Sequence, residues 1–395
     1  MWLPRDASEL EAAVERQQLQ ETPSFDAKEA LPPSKKNISL AIDICAMTPE
    51  GGQLLFGVAE DDQERPTVLK PIELVGVRER IDQVAQTSIA EPPIIQVAAC
   101  PLDDDPAMGY ALVTVPQSAR SPHQVTVGKE FRYYGRGETG NRILTEGEVA
   151  RLYARRERWD VDALAVLKEV IAVAPFAPTD EPGHLHAFAR PVVPDRAIWE
   201  RGTAEGRDQL FSRMRSAAAS APPRTGYAPA IGRIGPNWRR RGADAWTLDS
   251  SADSPKDAIR VNVNIDGHGS LFCGRAADMA EPNYMPNDGP EPILMEVVVA
   301  GNLAAFLALM GEYYDSASYV GMVDVGAAVT GIQGARSLHR WNGGGFDRGQ
   351  YDAPTFSRTA RVPATRLRNE SEVVTMVLIR DLMDASAGDG YNPFA

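Results

Sequence analysis

Four charged side chains between residues 21 and 60 have the types and spacing to hold a divalent cation and act on a phosphodiester. Glu21 and Asp26 flank a proline turn, and Asp26 and Lys28 alternate along an extended segment, which places both on one side. Glu60 follows the apolar stretch 53–58. Three carboxylates supply the oxygen ligands that Mg²⁺ or Mn²⁺ prefers, and such an ion activates water for hydrolysis. Lys28 would offset charge that develops on the phosphate. On spacing alone, the alternative is four ordinary surface charges near strand ends.

A second group of residues has the composition of a nucleic-acid contact. In the segment 129–136, Arg132, Tyr134 and Arg136 alternate, which predicts one strand face that carries two guanidinium groups and an aromatic ring. Guanidinium groups bind phosphates, and aromatic rings stack on bases. Arg142 and the arginines of the following helix would extend this face. The alternative is a solvated edge strand.

The charge distribution leaves room for such a face in an acidic chain. Lys and Arg number 41 against 54 Asp and Glu, a formal net charge of −13. Residues 120–158, however, carry 9 basic and 5 acidic side chains, and residues 209–243 carry seven arginines and no acid. A bound phosphate backbone interacts with the charges near its binding surface, so a negative net charge does not exclude nucleic-acid binding. The strip at 238–241, Trp-Arg-Arg-Arg, is a second candidate contact, with a charged loop as the alternative.

The sequence lacks the motifs of a cysteine-rich metal site and of a nucleotide-binding phosphate loop. The three cysteines are far apart and none is in CxxC spacing, and no G-x4-G-K-[ST] phosphate loop occurs. His184 and His186 alternate as on a strand, which is a weak signal for a zinc site. No apolar run approaches the ~18 residues of a membrane helix, and charged residues stand where a signal peptide would be apolar. We therefore expect a cytoplasmic protein with no membrane partner.

These residues need a scaffold, and the hydrophobic pattern predicts a mixed one. Ser8 with Glu11 and Thr145 with Glu148 form capping boxes that open the first and last helices of an N-terminal domain, residues 1–158. Between them the pattern predicts helices at 38–45 and 77–90 and strands at 24–28, 53–58, 94–99, 109–115 and 125–134. The predicted fold class is α+β.

The second half is expected to contain a connecting region and a further domain. Residues 159–245 are rich in proline and arginine and are interpreted as an extended connection, and residues 246–395 as a C-terminal α/β domain. That domain is predicted to contain strands at 259–265, 294–299 and 320–329, a helix at 303–313, and a last helix capped by Asn369 with Glu372.

The N-terminal pattern resembles the Schlafen core domain, also described as a divergent Alba-like nucleic-acid-binding domain. The resemblance covers about residues 18–155. It consists of E-x4-[acid]-x-K at 21–28, G-G-x-L-L-x-G-V-x-[acid] at 51–60, the basic aromatic strand at 131–137 and the helix that opens at 145–148. It implies a metal-dependent RNA-cleaving site formed by Glu21, Asp26 and Glu60. The family usually has Glu-Phe-Lys at 26–28 and often aspartate at position 60, so Asp61 or Asp62 is an alternative third ligand.

The resulting hypothesis is a Schlafen-type endoribonuclease that requires Mg²⁺ or Mn²⁺ and acts on structured RNA such as transfer RNA. The C-terminal domain would sense a signal or bind a partner, as in a defence or toxin-like effector. A homodimer would join two basic faces, with the stretches 294–299 and 320–329 as candidate contact surfaces besides their use in a core. Two alternatives remain open: a non-catalytic nucleic-acid-binding regulator or adaptor that uses the same domain, and a structural or interaction protein.

Overall fold

A computed structural model gives the fold of the 395-residue chain. It describes residues 4, 6–33, 37–61, 63, 65–127, 131–137, 140–159, 162–175, 183–195, 197–221, 230–235, 237–250, 255–280, 290–342 and 350–395. The chain divides into two compact units, Met1–Asp160 and Val161–Ala395. Both contain helices and sheets, so the fold class is α+β, as predicted.

Unit 1 contains four helices and eleven strands among its described residues. In chain order they are α1 (Ala7–Glu15), β1 (Phe25–Lys28), α2 (Asn37–Met47), β2 (Gly52–Phe56), β3 (Val58–Glu60), β4 (Pro66–Leu69), β5 (Ile72–Glu73), α3 (Val77–Ser88), β6 (Ile89–Ala90), β7 (Gln96–Pro101), β8 (Met108–Val115), β9 (Gln124–Val125), β10 (Arg132–Gly137), β11 (Gly140–Ile143) and α4 (Glu146–Trp159).

The sheets of unit 1 bring distant parts of the sequence together. In one sheet β1 runs parallel to β2, and β2 is antiparallel to β8, which also pairs with β5 and β7. A second sheet has the order β11-β10-β9-β6. The apolar helix α2 packs against α3 and β10, and its buried residues form one core with β2 and β8. This core fixes α2, β1 and β10 around the residues of the candidate site.

The helix caps of unit 1 were predicted in part. Thr145 and Glu148 form the glutamate half of the expected capping box, since the Thr145 backbone N–H and hydroxyl both donate to Glu148 Oε2 at 2.9 Å. Helix α1 instead begins at Ala7, because Asp6 accepts from the Glu9 backbone N–H at 2.8 Å. A short side chain before the first turn satisfies an orphan donor there, and this makes Asp6 the cap in place of Ser8.

Unit 2 is built on one large antiparallel sheet. Its elements are α5 (Ala163–Ala172), β12 (His184–Pro191), α6 (Ile198–Gly202), α7 (Arg207–Ala219), β13 (Trp238–Arg241), β14 (Ala245–Asp249), β15 (Ile259–Asn264), β16 (Gly269–Cys273), β17 (Ala277–Ala280), β18 (Glu291–Leu294), α8 (Glu296–Ser316), β19 (Met322–Thr330), β20 (Arg336–Ser337), α9 (Leu338–Asn342), β21 (Thr355–Pro363), α10 (Ala364–Asn369) and α11 (Ser371–Ala387). The seven-stranded sheet has the order β13-β14-β15-β16-β12-β19-β21. Helices α7, α10 and α11 pack on α8, and α5 contacts β12 and β19.

The prediction of a connecting region at 159–245 is wrong for the described parts of that range. Strand β12 pairs with both β16 and β19, so it lies inside the seven-stranded sheet, and β13 and β14 extend the same sheet. Helix α7 contributes Leu210, Phe211 and Met214 to the main core of the unit. Because the prolines fall outside or at the ends of these elements, they interrupt the chain without excluding it from the sheet.

The predicted strand at 294–299 is also wrong. Residues 291–294 are a strand, and a 21-residue helix, α8, begins at Glu296. Helix α8 is long and apolar enough to cross a membrane by composition, but 89% of its most apolar window is buried within the unit. It is therefore a core helix. Strand β19, which covers most of 320–329, is buried as well, so neither stretch provides the surface that was considered for a dimer contact.

Candidate functional site

A cluster of charged side chains lies where β1 meets β10 in unit 1. Asp26 is on β1 and is only 6% exposed. Its Oδ2 atom lies 2.9 Å from Lys28 Nζ and 3.5 Å from Arg136 Nη1 of β10. Strand alternation places Asp26 and Lys28 side by side, as predicted. The fold adds Arg136, so that two cations face one buried carboxylate.

A second buried acid, Asp43, belongs to the same cluster and was not predicted. It lies on α2, where its Oδ2 atom is 3.7 Å from Lys28 Nζ and its Oδ1 atom accepts from Asn141 Nδ2 at 2.6 Å. Asn141 also accepts from Arg136 Nη1 at 3.2 Å. A single acid in the apolar run of α2 was the signal in the sequence, because a buried carboxylate needs partners.

The electrostatics of the cluster follow from this burial. Removal from water raises the pKa of Asp43, and the favourable contacts with Lys28 and Asn141 offset only part of that effect. Burial alone would lower the pKa of Lys28, but Asp43 and Asp26 together outweigh it and raise that pKa. The lysine is therefore held in its charged form between two acids.

Glu21 and Glu60, the other two predicted acids, lie at the exposed side of this cluster. Glu21 Oε1 accepts from the Ala27 backbone N–H at 2.9 Å, which fixes the carboxylate beside β1. Partial burial raises the pKa of Glu21, and repulsion by Asp26 and Glu60 adds to the rise. Glu60 ends β3 and is exposed. Glu21 thus interacts with both of the other predicted acids.

The donor set has the right chemistry for Mg²⁺ or Mn²⁺ but not a preformed geometry. Across the described ranges, no group of three or more His, Cys, Asp or Glu side chains could hold a metal ion. The inner oxygen of Asp26 already has two cationic partners. Of the alternative third ligands, Asp61 binds Arg65 and Thr67, and Asp62 lies outside the described residues. In this arrangement, Glu21, Asp26 and Glu60 are not a preformed site for a divalent ion.

The predicted nucleic-acid face of β10 is largely an interior face. Tyr134 is buried in the core that includes α2, and the Arg136 side chain is 10% exposed beside Asp26. Arg142 donates from Nη1 and Nη2 to the two carboxylate oxygens of Glu148, at 2.9 and 2.6 Å. Arg132 is exposed at the start of the strand. Tyr134 therefore faces the core, because alternation defines two faces without saying which one is buried, and the role of Tyr134 and Arg136 as nucleic-acid contacts stays a prediction.

An open groove of about 890 Å³ lies between α4, the C-terminal end of α2 and β10. The turn at Gly51, which has a φ of 80°, borders it. Five arginines against three glutamates line the groove: Arg136, Arg142, Arg151, Arg155 and Arg158 with Glu50, Glu148 and Glu157. The turn residues Pro23 and Ser24, between Glu21 and Asp26, also border it, so the groove reaches the segment that carries the acids.

Two of these arginines are available to a ligand. Arg155 Nη1 lies 2.7 Å from Glu50 Oε1, and Arg136 and Arg142 have the acidic partners given above. Arg151 and Arg158 are exposed on α4 and form no ion pair with any described residue. Unpaired guanidinium groups along a concave surface suit an anion with spaced phosphates.

The candidate contacts of unit 2 are mainly structural. On β13, Trp238 stacks on Phe211 with ring centroids 4.5 Å apart, so it belongs to the core side of the strand. His184 and His186 are fully buried in the sheet with ring centroids 6.3 Å apart, and His186 Nε2 lies 3.3 Å from Thr330 Oγ1. The parts of the chain that are described offer this pair no further metal ligand.

Comparison with known proteins gives little beyond the residues themselves. No protein-family model matches the chain, and no curated protein matches it. Among solved structures, it is similar to the N-terminal domain of a putative ATP-dependent DNA helicase RecG-related protein from Nitrosomonas europaea. That similarity has 18% sequence identity, covers 36% of this chain and 95% of that domain, and has a TM-score of 0.23. At this score the similarity adds no argument about fold or function.

Proposed function

We propose that unit 1 is a cytoplasmic nucleic-acid-binding domain whose groove holds a phosphate backbone. The observation that carries the proposal is the pair Arg151 and Arg158, which project from α4 into a groove with an excess of arginine and lack acidic partners among the described residues. Phosphate contacts by exposed arginines account for most non-specific affinity for nucleic acid. RNA is favoured over DNA because of the resemblance to the Schlafen core domain.

The test is a fluorescence anisotropy titration of labelled RNA and DNA with the full chain. The double substitution Arg151→Ala with Arg158→Ala should weaken the affinity about tenfold, since two charge-assisted contacts are lost. Arg78→Ala is the matched control, because Arg78 is an exposed arginine on α3 that does not line the groove. Equal losses in the two variants would refute the role of the groove.

A second candidate function is metal-dependent cleavage of the bound strand, with Glu21, Asp26 and Glu60 as the acids and Lys28 beside them. The position of Glu21 beside Asp26 and Glu60 supports it, because partial burial together with these two charges raises the pKa of Glu21, and perturbed carboxylates cluster at functional sites. Glu60 is exposed at the end of β3, whereas Asp26 is held by its ion pairs and Glu21 by the Ala27 backbone N–H. A bound ion would supply activated water.

Incubation of total RNA with the purified chain and Mn²⁺, Mg²⁺ or EDTA tests this candidate. We expect cleavage with either metal, none with EDTA, and loss of cleavage in Glu60→Gln. The Glu60 variant removes one exposed charge and should fold like the parent. Metal-independent products, or none at all, would contradict the cleavage function and leave the binding function standing.

A further inference from the structure

The outward face of β10 carries aromatic side chains next to the groove. Phe131, at the residue before the strand, is 62% exposed, and alternation places Tyr133 on the same side. Tyr153 of α4 is 41% exposed. Its hydroxyl lies 3.0 Å from that of Tyr133, and the two rings meet edge to face with centroids 6.4 Å apart. We call Phe131, Tyr133 and Tyr153 the aromatic patch.

The exposure of these rings is unusual for this chain. Ten large hydrophobic side chains are exposed in the described part, and the two aromatic ones are Phe131 and Tyr153. Full burial of a side chain of this size contributes about 1.5–3 kcal/mol, and the exposed rings forgo part of it. Two such rings beside one strand therefore indicate a surface that a ligand covers.

The groove and the aromatic patch lie along one strand face. Gly135 follows Tyr133 by two positions and lines the groove, so roughly 13 Å of strand separates Phe131 from Gly135. Leu144 fills the space over Gly135, where a Cβ atom would come within 2.7 Å of Leu144 Cδ2. The groove therefore begins on the strand that carries the rings, and a larger residue at position 135 would have to displace Leu144.

Positive charge also borders the aromatic patch. Arg156 of α4 pairs with Glu91 at 2.8 Å, and Arg120, with a side chain 63% exposed, lies 4.0 Å from the same carboxylate. The hydrogen bond with Tyr153 raises the pKa of the Tyr133 hydroxyl to about 12, and the nearby negative charge of Glu91 adds to the rise. Two arginines thus share one acid next to the rings, which favours an anionic occupant over an apolar one.

We infer that the aromatic patch stacks the bases of a single-stranded nucleic acid while the groove arginines bind its phosphates, an inference that depends on the proposed function. Duplex bases are already stacked on one another, so a ring on the protein surface reaches only unpaired bases. Rings beside a basic groove are the arrangement of single-strand binding sites. The substrate class is therefore unpaired RNA or DNA, including loops and ends of folded RNA.

The experiment compares a labelled 12-nucleotide oligouridine with a 12-base-pair duplex in anisotropy titrations of the full chain. Phe131→Ala should weaken single-strand binding about tenfold and leave duplex binding unchanged, because one stacked base is lost. Tyr153→Phe keeps the ring and should bind like the parent, whereas Tyr153→Ala should not. Val75→Ala is the matched control, since Val75 is 75% exposed in the same unit.

The outcomes separate the two proposals. If the parent binds both probes equally and Phe131→Ala changes neither affinity, the role of the aromatic patch is overturned and the role of the groove stands. Absence of binding to either probe would overturn the proposed function itself. A change of molecular mass in Phe131→Ala by light scattering, with unchanged affinity, would show that the rings meet another protein copy and would overturn the inference.

Discussion

Asp26, Asp43, Lys28 and Arg136 form a buried group of two acids and two bases. Each charge in such a group is stable because the opposite charges replace the water that it has lost. Lys28 lies between the two acids, 2.9 Å from Asp26 and 3.7 Å from Asp43. Removing one member leaves its partners with fewer opposite charges, so the group couples β1, α2 and β10.

Substitution of Asp43 tests this coupling. Asp43→Ala should lower the free energy of unfolding by about 1–2 kcal/mol, because Lys28 loses one of its two acids and the Asn141 amide loses its acceptor. Urea unfolding followed by circular dichroism measures the change. The control Asp82→Ala, at an exposed position on α3, should change it by less than about 0.5 kcal/mol. Similar values for both variants would show that Asp43 contributes no more than a surface acid.

Half of this group could be predicted from sequence. Asp26 and Lys28 are two residues apart, and strand alternation is enough to pair them. Asp43 and Arg136 reach them only through long-range packing, because α2 lies against β10. Alternation along β10 also predicts which residues share a face, but it does not say which face is exposed. Tyr134 faces the core, and Phe131 on the other face is exposed.

At the scale of elements, the start of α4 combines two functions. Glu148 accepts from the Thr145 backbone and hydroxyl, and the same carboxylate binds both terminal nitrogens of Arg142. The capping box explains why the helix begins here, and the ion pair explains why Arg142 is not available to a ligand. The carboxylate therefore limits the positive charge of the groove.

Glu148→Ala should separate these effects. Loss of the cap should lower stability by about 1 kcal/mol, measured by urea unfolding. Release of Arg142 should increase affinity for single-stranded RNA and steepen its log–log dependence on salt by about 0.7. Glu157→Ala, which removes a groove acid that is not the cap, is the control for charge alone. An unchanged or weaker affinity in Glu148→Ala would contradict the idea that Arg142 is held in reserve.

The error at 294–299 has a physical cause at the same scale. Short apolar runs rich in valine fit a buried strand and a buried helix equally, because neither shows a polar face. Helix α8 is enclosed along nearly its whole length, so its sequence lacks the period of an amphipathic helix. Only packing against α7, α10 and α11 decides the outcome.

For the whole molecule, the boundary between the units was predictable and the content of unit 2 was not. The predicted end at 158 agrees with the division at Asp160 because a proline-rich composition follows the last capped helix. The same proline-rich composition predicted no strand at β12, whose partners β16 and β19 follow about 80 and 140 residues later in the chain. Local patterns carry no information on such pairing.

Unit 2 should lose stability in mild acid. Burial, with a smaller contribution from the nearby His184, lowers the pKa of His186 to about 4. A histidine with a lowered folded pKa binds its proton more readily when unfolded, so stability falls as pH falls from about 6.5 to about 4. The contribution amounts to at most about 3 kcal/mol. Thermal melting of the parent and His186→Gln across this range should show a smaller pH dependence in the variant, and identical curves would contradict the assignment.

The homodimer remains a prediction for the assembled protein. An acidic chain with one basic groove would enclose more nucleic acid if two grooves met about a two-fold axis. The stretches 294–299 and 320–329, predicted as candidate contact surfaces, are largely buried, so another surface must form the dimer contact. Light scattering at micromolar concentration should give twice the mass of one chain, and the mass of a single chain with full RNA affinity would show that one groove suffices.

If Arg151 and Arg158 bind phosphates in the groove of unit 1, as proposed, the salt dependence of binding must depend on both side chains. The affinity for a labelled single-stranded RNA is measured at several salt concentrations for the parent and for the variant with both arginines replaced by alanine. Two lost phosphate contacts should make the log–log slope shallower by about 1.4. Identical slopes in the parent and the double variant would contradict the claim.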